Sequence, residues 1–173
     1  ASDNTAIGYA SLLKNIIGTK NTALGRDAGF ENLANNNVFL GFEAGRLNTT
    51  GTPNTFLGYR AGYSNTTGSQ NTFLGYESGG LAPTLTNASA IGYNAKVGIN
   101  DAMVLGGTGA DAIRVGVGTT SPISILNLVG STPDYETSVY LHNQNDLGTA
   151  RAMYSATSGT INTASGYVGA FHG

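Results

Sequence analysis

Residues 54–75 read NTFLGYRAGYSNTTGSQNTFLG, and the pentapeptide NTFLG that opens this stretch returns unchanged seventeen residues later. Aligning the chain on the glycine of this pentapeptide gives six copies of one unit, spaced by 17, 16, 17, 17 and 17 residues. Self-similarity at a fixed period of this length is typical of solenoids. The structural anchors of the repeat are Gly8, Gly25, Gly41, Gly58, Gly75 and Gly92, and a degenerate seventh copy ends at Gly106.

Each unit carries apolar residues on both faces of a predicted strand. The residue before the anchor is always Ile or Leu, the residue two before it is Ala or Phe, and the one after it is usually aromatic. Neighbouring side chains of a strand point to opposite faces, so the Leu/Ile and Ala/Phe positions lie on opposite sides. We expect a packing ladder made of Ile7, Leu24, Leu40, Leu57, Leu74, Ile91, Phe39, Phe56 and Phe73.

The segments between the units are rich in turn-forming residues, as in Asn48-Thr-Thr-Gly51 and Asn65-Thr-Thr-Gly68. Asn and Gly tolerate the left-handed backbone of tight turns. A unit of this length accommodates two short strands and two turns, with equivalent residues stacked about 4.8 Å apart. The sequence therefore predicts an all-β fold, a parallel β-helix or β-roll solenoid of about seventeen-residue coils in which Asn and aromatic side chains form ladders.

One coil this small buries too few large side chains to offset the ordering entropy of its backbone. Because both faces of the strand are apolar, we expect the second face to be buried against identical chains. A closed symmetric assembly also hides strand edges, and we favour a homotrimer.

The composition excludes several classes of partner. Only 18 of 173 side chains are charged and the net charge is −2, so the chain has no basic footprint for nucleic acid. No apolar run approaches 18 residues, which argues against membrane insertion. Without cysteine there is no disulfide framework.

Two later stretches carry a resemblance to a known family. They are Ala90-Ile-Gly-Tyr-Asn-Ala-Lys-Val97 and Val115-Gly-Val-Gly-Thr-Thr-Ser-Pro122. Together with the repeats they resemble the β-helical shafts of phage and phage-like tail fibres, related to the head repeats of YadA-like trimeric autotransporter adhesins. The unit departs from the adhesin pattern in being longer. The resemblance implies a homotrimer, attachment to a host-surface glycan or protein receptor, and an extracellular place on a virion tail or cell surface.

Three regions follow from these patterns: a repeat shaft over 1–109, a connecting Gly-Thr-Thr-Ser-Pro segment over 110–122, and a smaller β-rich module over 123–173. Within the module, 123–129 and 138–142 are predicted strands. Its tyrosines are available for stacking on sugars, although no ligand-binding residue can be singled out: Tyr135, Tyr140, Tyr154 and Tyr167. Because the chain opens at Ala1, we interpret it as a piece of a longer protein.

No motif predicts an enzyme, a metal or a cofactor. His142 and His172 lack metal-ligand spacing. The glycine-rich stretches 106–109 and 116–120 lack the Gly-Lys-Ser/Thr ending of a phosphate-binding loop and are interpreted as turns. Asn48, Asn65 and Asn87 match the glycosylation acceptor pattern but are interpreted as turn residues.

Carboxylates recur at the second position after the anchor, at Asp27, Glu43 and Glu77. Paired carboxylates are used in glycoside hydrolysis. The phase of the repeat instead places them on successive coils as a charged row. We expect them to pair with arginines of a neighbouring chain and so to fix its register, the candidates being Arg26, Arg46 and Arg60.

The hypothesis that follows is a non-enzymatic structural segment of a trimeric tail fibre or surface adhesin that mediates attachment. The alternative is a carbohydrate-binding or carbohydrate-cleaving tail spike. A minor alternative is an ice-binding solenoid, suggested by the threonine ladder Thr5, Thr22, Thr55 and Thr72, which Val38 interrupts.

Overall fold

The computed structural model describes residues 1–108, 111–117, 119–123 and 125–128, all within one compact unit, Ala1–Val129. The predicted module beyond residue 128, including both histidines and the four tyrosines named above, lies outside the described residues. The strands are β1 (Thr5–Ile7), β2 (Thr22–Leu24), β3 (Val38–Leu40), β4 (Thr55–Leu57), β5 (Thr72–Leu74), β6 (Gly79–Gly80), β7 (Ser89–Ile91), β8 (Lys96–Val97), β9 (Met103–Leu105), β10 (Val115–Val117) and β11 (Leu126–Leu128).

The repeat forms one parallel sheet of seven three-residue strands, ordered β1-β2-β3-β4-β5-β7-β9. Each strand ends just before its anchor glycine, and equivalent positions pair directly, as Phe56 does with Phe73. The degenerate seventh copy supplies β9, which pairs with β7. The predicted all-β, parallel β-solenoid with coils of about seventeen residues is thus confirmed.

The second side of each coil differs from the prediction of a second strand. In the described residues, extended pairs form there only between β6 and β8. Earlier coils carry left-handed residues at the second and fourth positions after the anchor, such as Arg60 (φ 53°) and Gly62 (φ 60°). These residues turn the backbone out of the extended conformation, although coil-to-coil hydrogen bonds persist, as from Gly62 N to Ser78 O at 2.9 Å.

The anchor glycines occupy a tight corner between adjacent coils. Gly58 has φ 134°, and a β-carbon there would lie 2.5 Å from the carbonyl oxygen of Gly75 in the next coil. A backbone oxygen in that position cannot move aside without breaking the stack. Only glycine therefore fits both the dihedral angle and the close approach.

A column of phenylalanines fills the interior. Phe39, Phe56 and Phe73 are fully buried, and the ring centroids of Phe56 and Phe73 lie 4.9 Å apart with nearly parallel planes. Small alanines continue the column at Ala23 and Ala90. The packing ladder expected from the sequence thus divides: its phenylalanines form the core, and its Leu/Ile members face outward.

Two columns of asparagine side chains run through the interior beside the phenylalanines. Asn54 accepts a hydrogen bond at Oδ1 from the backbone N–H of Asn71 at 3.0 Å and donates from Nδ2 to Gly68 O at 2.9 Å. Asn65 donates to Asn48 Oδ1 at 2.7 Å. The first column comprises Asn4, Asn21, Asn37, Asn54 and Asn71. The second comprises Asn32, Asn48 and Asn65, and Asn15, at the equivalent position of the first coil, donates to the carbonyl oxygen of Gly18.

This arrangement corrects the interpretation of Asn48 and Asn65 as simple turn residues. Both side chains are buried and bonded to neighbouring coils, because each coil leaves backbone groups inside that need partners. Their amide nitrogens are closed to glycosylation in the folded chain, whereas Asn87 is exposed.

The connecting segment also differs from its prediction. Gly116 lies inside β10 rather than in a turn, and β10 pairs in parallel with β11. Strand β11 falls within the strand predicted over 123–129. No helix in the described ranges has the length and apolar character needed to cross a membrane.

Candidate interaction surfaces

The outward side of the seven-stranded sheet presents two parallel columns of side chains, which we call the outer face. The first and third residues of each strand point outward, and the middle residue points to the core. One column is Thr5, Thr22, Val38, Thr55, Thr72, Ser89 and Met103. The other is Ile7, Leu24, Leu40, Leu57, Leu74, Ile91 and Leu105.

The outer face is uncharged, with one aliphatic column and one column made mostly of threonine and serine. Leu57 and Leu74 are 42% and 39% exposed, and Ile7 at the first strand reaches 58%. None of the fourteen residues in the two columns is Asp, Glu, Lys or Arg. Within a single chain these aliphatic side chains gain little from burial, so the face is a candidate for contact with another surface.

A stack of aromatic side chains, the aromatic column, borders the outer face just beyond the anchor glycines. The ring centroids of Phe42 and Tyr59 lie 5.2 Å apart, those of Tyr59 and Tyr76 4.9 Å, and those of Tyr76 and Tyr93 5.3 Å. Near-parallel rings at this separation are stabilised by offset stacking. The column therefore extends the apolar surface of the outer face.

Arg26 occupies the one position of the repeat where the aromatic residue is missing. Its guanidinium carbon lies 5.6 Å from the centroid of the Tyr9 ring and 5.7 Å from that of Phe42. A planar cation between two rings continues the stack through cation–π contacts. Arg26 is thus a member of the aromatic column.

The pKa of Tyr76 is raised above the ordinary phenol value. The main cause is the negative charge of the neighbouring Glu77, followed by desolvation and the adjacent Tyr59 and Tyr93, while Arg60 acts in the opposite direction. Each of the first causes disfavours the phenolate. The Tyr76 phenol therefore ionises at a higher pH than a free phenol does.

The charged row expected from the sequence carries ion pairs within the chain, and its pairing with a neighbouring chain stays a prediction. Arg60 Nε donates to Glu43 Oε2 at 2.6 Å, and Arg46 Nε lies 3.7 Å from Glu43 Oε1. Arg26 pairs with its neighbour Asp27 at 3.2 Å. The hydrogen bond to Glu43 raises the pKa of Arg60. Because the repeat stacks equivalent positions, oppositely charged residues of successive coils already lie within reach of each other.

Other chemistry finds little support in the described ranges. No group of three or more His, Cys, Asp and Glu side chains is placed there to hold a metal ion. The sequence did not predict that the asparagines lie inside, although their return four residues before each of the first five anchors was visible.

No known family profile, no curated protein and no solved structure matches this chain.

Proposed function

We propose that this chain is a structural segment of an extracellular fibre, on a virion tail or a cell surface, in which three copies associate through their outer faces and which mediates attachment. The observation that carries the proposal is the uncharged outer face, flanked by the aromatic column. A surface without charge meets a copy of itself without like-charge repulsion. The resemblance of the repeats to tail-fibre shafts supplies the number of chains and the extracellular setting.

The outer face has the size of a functional surface patch. Seven strands and the adjoining aromatic column span a projected area of roughly 450 Å² at ordinary strand spacings. The largest apolar patch on a monomeric soluble protein is about 300–600 Å² and is often functional. The lack of charge, rather than the area, therefore supports the proposal.

Closed symmetry follows from the same geometry. When the same patch of each chain contacts two identical neighbours around one axis, the chains close into a ring in which every copy of the patch is buried. Three chains arranged in this way bury their outer faces together, and unravelling one coil then requires its separation from two neighbours. Such a shaft resists unfolding because many coils must open together.

The solution molar mass, measured by light scattering during size exclusion, tests the proposal. We expect three times the 17.6 kDa of the chain. The double variant Leu57→Glu/Leu74→Glu places charges on the outer face and should dissociate the assembly into folded monomers. Thr67→Glu/Thr84→Glu adds the same charge at exposed positions away from that face and should keep the mass of the unaltered chain. A monomer at all concentrations for the unaltered chain contradicts the proposal.

Ice binding remains a second candidate because one observation favours it. Thr5, Thr22, Thr55 and Thr72 are all exposed on one regular parallel sheet. Measurement of thermal hysteresis decides it: a Thr55→Val/Thr72→Val variant should lose activity that the unaltered chain has. Absence of hysteresis in the unaltered chain excludes this candidate.

A further inference from the structure

A polar cleft opens where the repeat changes after the fifth anchor glycine. It has a volume of about 190 Å³ and is lined by Arg60, Tyr63, Ser64, Glu77, Ser78, Gly79 and Lys96. It lies among the second-side segments of three successive coils, where no residue of the outer face contributes. A volume below the range of drug-sized pockets admits one small ligand unit.

The cleft lies beside a position where a glycine replaces a larger residue of the repeat. Five positions after the anchor, earlier coils carry Phe30, Arg46 and Tyr63, but the next coil carries Gly80. At the neighbouring Gly79, a β-carbon would meet no atom closer than 3.8 Å. The side-chain column on this side therefore stops at Tyr63 and leaves space beyond it.

The backbone ladder is also interrupted at this place. In the three coils before, the residue six positions after the anchor donates its backbone N–H to the next coil, at Lys14, Glu31 and Leu47. The equivalent N–H of Ser64 has no backbone partner among the described residues. A polar group in an open cleft without an internal partner is available to a ligand.

Several side-chain polar atoms converge on the cleft without an internal partner. Within the described ranges, the Nη atoms of Arg60, the hydroxyls of Tyr63 and Ser64 and the carboxylate of Glu77 form no hydrogen bond. Arg60 is held by Glu43 through Nε, and Lys96 Nζ is held by the carbonyl oxygen of Glu77. Both cations are thus positioned, yet each keeps donors free for a ligand.

The charges and the ring define the chemistry of the ligand. Two cations and one carboxylate line the cleft, and the Glu43 carboxylate behind Arg60 is shared with Arg46. These five groups together keep one excess positive charge, although the whole chain is negative. An arginine with free Nη atoms favours a carboxylate, which accepts two parallel hydrogen bonds. The Tyr63 ring, over which the Arg60 guanidinium lies at 4.8 Å from the centroid, adds an apolar wall with a polar tip.

We infer that this cleft binds one acidic monosaccharide unit of a surface polysaccharide, a hexuronic acid. Its carboxylate pairs with Arg60 and Lys96, its hydroxyls donate to Glu77, and the C–H face of its ring packs against Tyr63. The inference rests on the proposed function, because a fibre that attaches to a surface needs a chemical group there to recognise. It does not require the outer face, so the two proposals fail separately.

Isothermal titration of the full 173-residue chain tests the inference, with a galacturonic acid oligosaccharide as the probe and a malto-oligosaccharide as its neutral counterpart. We expect the acidic probe to bind at least about tenfold more tightly, as a charge-assisted hydrogen bond requires. Lys96→Met and Tyr63→Ala should each weaken binding about tenfold or more.

Lys20→Met and Leu13→Ala are the control variants. They remove a lysine and a large apolar side chain at exposed positions outside the cleft and should change the affinity by less than about twofold. Equal affinity for the two probes, no binding of either, or equal losses in cleft and control variants would overturn the inference. Should a cleft variant fail to fold, amide chemical shifts of the unaltered chain decide: the acidic probe must move those of Ser64, Gly79 and Lys96. Molar mass measured in parallel shows independently whether the chain associates.

Discussion

The ring of Phe56 packs so closely on Gly62 that a β-carbon at Gly62 would lie 2.4 Å from Cδ2 of that ring. The same relationship joins Phe39 and Gly45, where a β-carbon at Gly45 would lie 2.3 Å from Cδ1 of the ring. The phenylalanine column and the glycines four positions after the anchors are therefore one packing unit. Where the strand centre is Ala90 instead, the corresponding position holds Lys96.

Gly62→Ala should destabilise the chain by about 2–4 kcal/mol, because it combines overpacking with a left-handed φ of 60°. Gly79 is the equivalent position in the next coil, where φ is not positive and a β-carbon has space. Gly79→Ala should cost less than about 1 kcal/mol. Denaturant unfolding of both variants at one protein concentration measures the difference, and equal losses would show that Phe56 does not depend on Gly62.

The asparagine columns should be essential to stability. Asn54→Ala leaves the buried N–H of Asn71 without a partner and removes one of the two donors to the carbonyl of Gly68, the other being Asn65 Nδ2. We expect a loss of about 2–4 kcal/mol in the free energy of unfolding. Asn100→Ala is the control, since its Oδ1 accepts from Thr86 N at an exposed site where water can substitute. It should cost less than about 1 kcal/mol. A loss for Asn54→Ala as small as the control's would argue against a structural role for the column.

The raised pKa of Tyr76 predicts a loss of stability in alkali. In the unfolded chain this phenol ionises at its ordinary pKa, whereas in the fold Glu77 delays ionisation. The stabilisation is therefore complete below the ordinary pKa and is lost as the pH rises towards the folded value. Tyr76→Phe removes this contribution. Above about pH 10, the denaturant concentration at the unfolding midpoint should therefore fall less steeply with rising pH for this variant than for the unaltered chain. Parallel pH profiles for the two chains would contradict the prediction.

The period of the repeat was sufficient to predict the strands of the seven-stranded sheet, their register and the anchor glycines, but not that most of the described coils lack a second strand. Phasing on Gly58 and Gly75 fixes which residues stack, because parallel coils of equal length align equivalent positions. The alternation of Phe56 and Leu57 also showed that two apolar faces exist. It did not show which one forms the core, since both side chains are large and apolar.

The remaining features depend on contacts between coils that local sequence does not encode. Asn48 and Asn65 suit a turn and an interior hydrogen-bond column equally well, because the same amide serves either use. In the sequence, Arg26 is an exception to the aromatic residue that follows each anchor, and only the structure shows that it lies between the rings of Tyr9 and Phe42. The cleft lies beside the end of a side-chain column at Gly80, and one substitution in the repeat does not by itself predict an open space between coils.

The accessibility of position 57 in solution tests most directly whether the outer face is buried between chains. The chain has no cysteine, so Leu57→Cys introduces a single thiol on the outer face and Thr67→Cys a single thiol at an exposed loop position. At high protein concentration, we expect a maleimide to label the thiol of Leu57→Cys at least about tenfold more slowly than that of Thr67→Cys, with the difference vanishing on dilution to monomers. Equal labelling rates at every concentration would show that the outer face stays open to solvent and would contradict association through it.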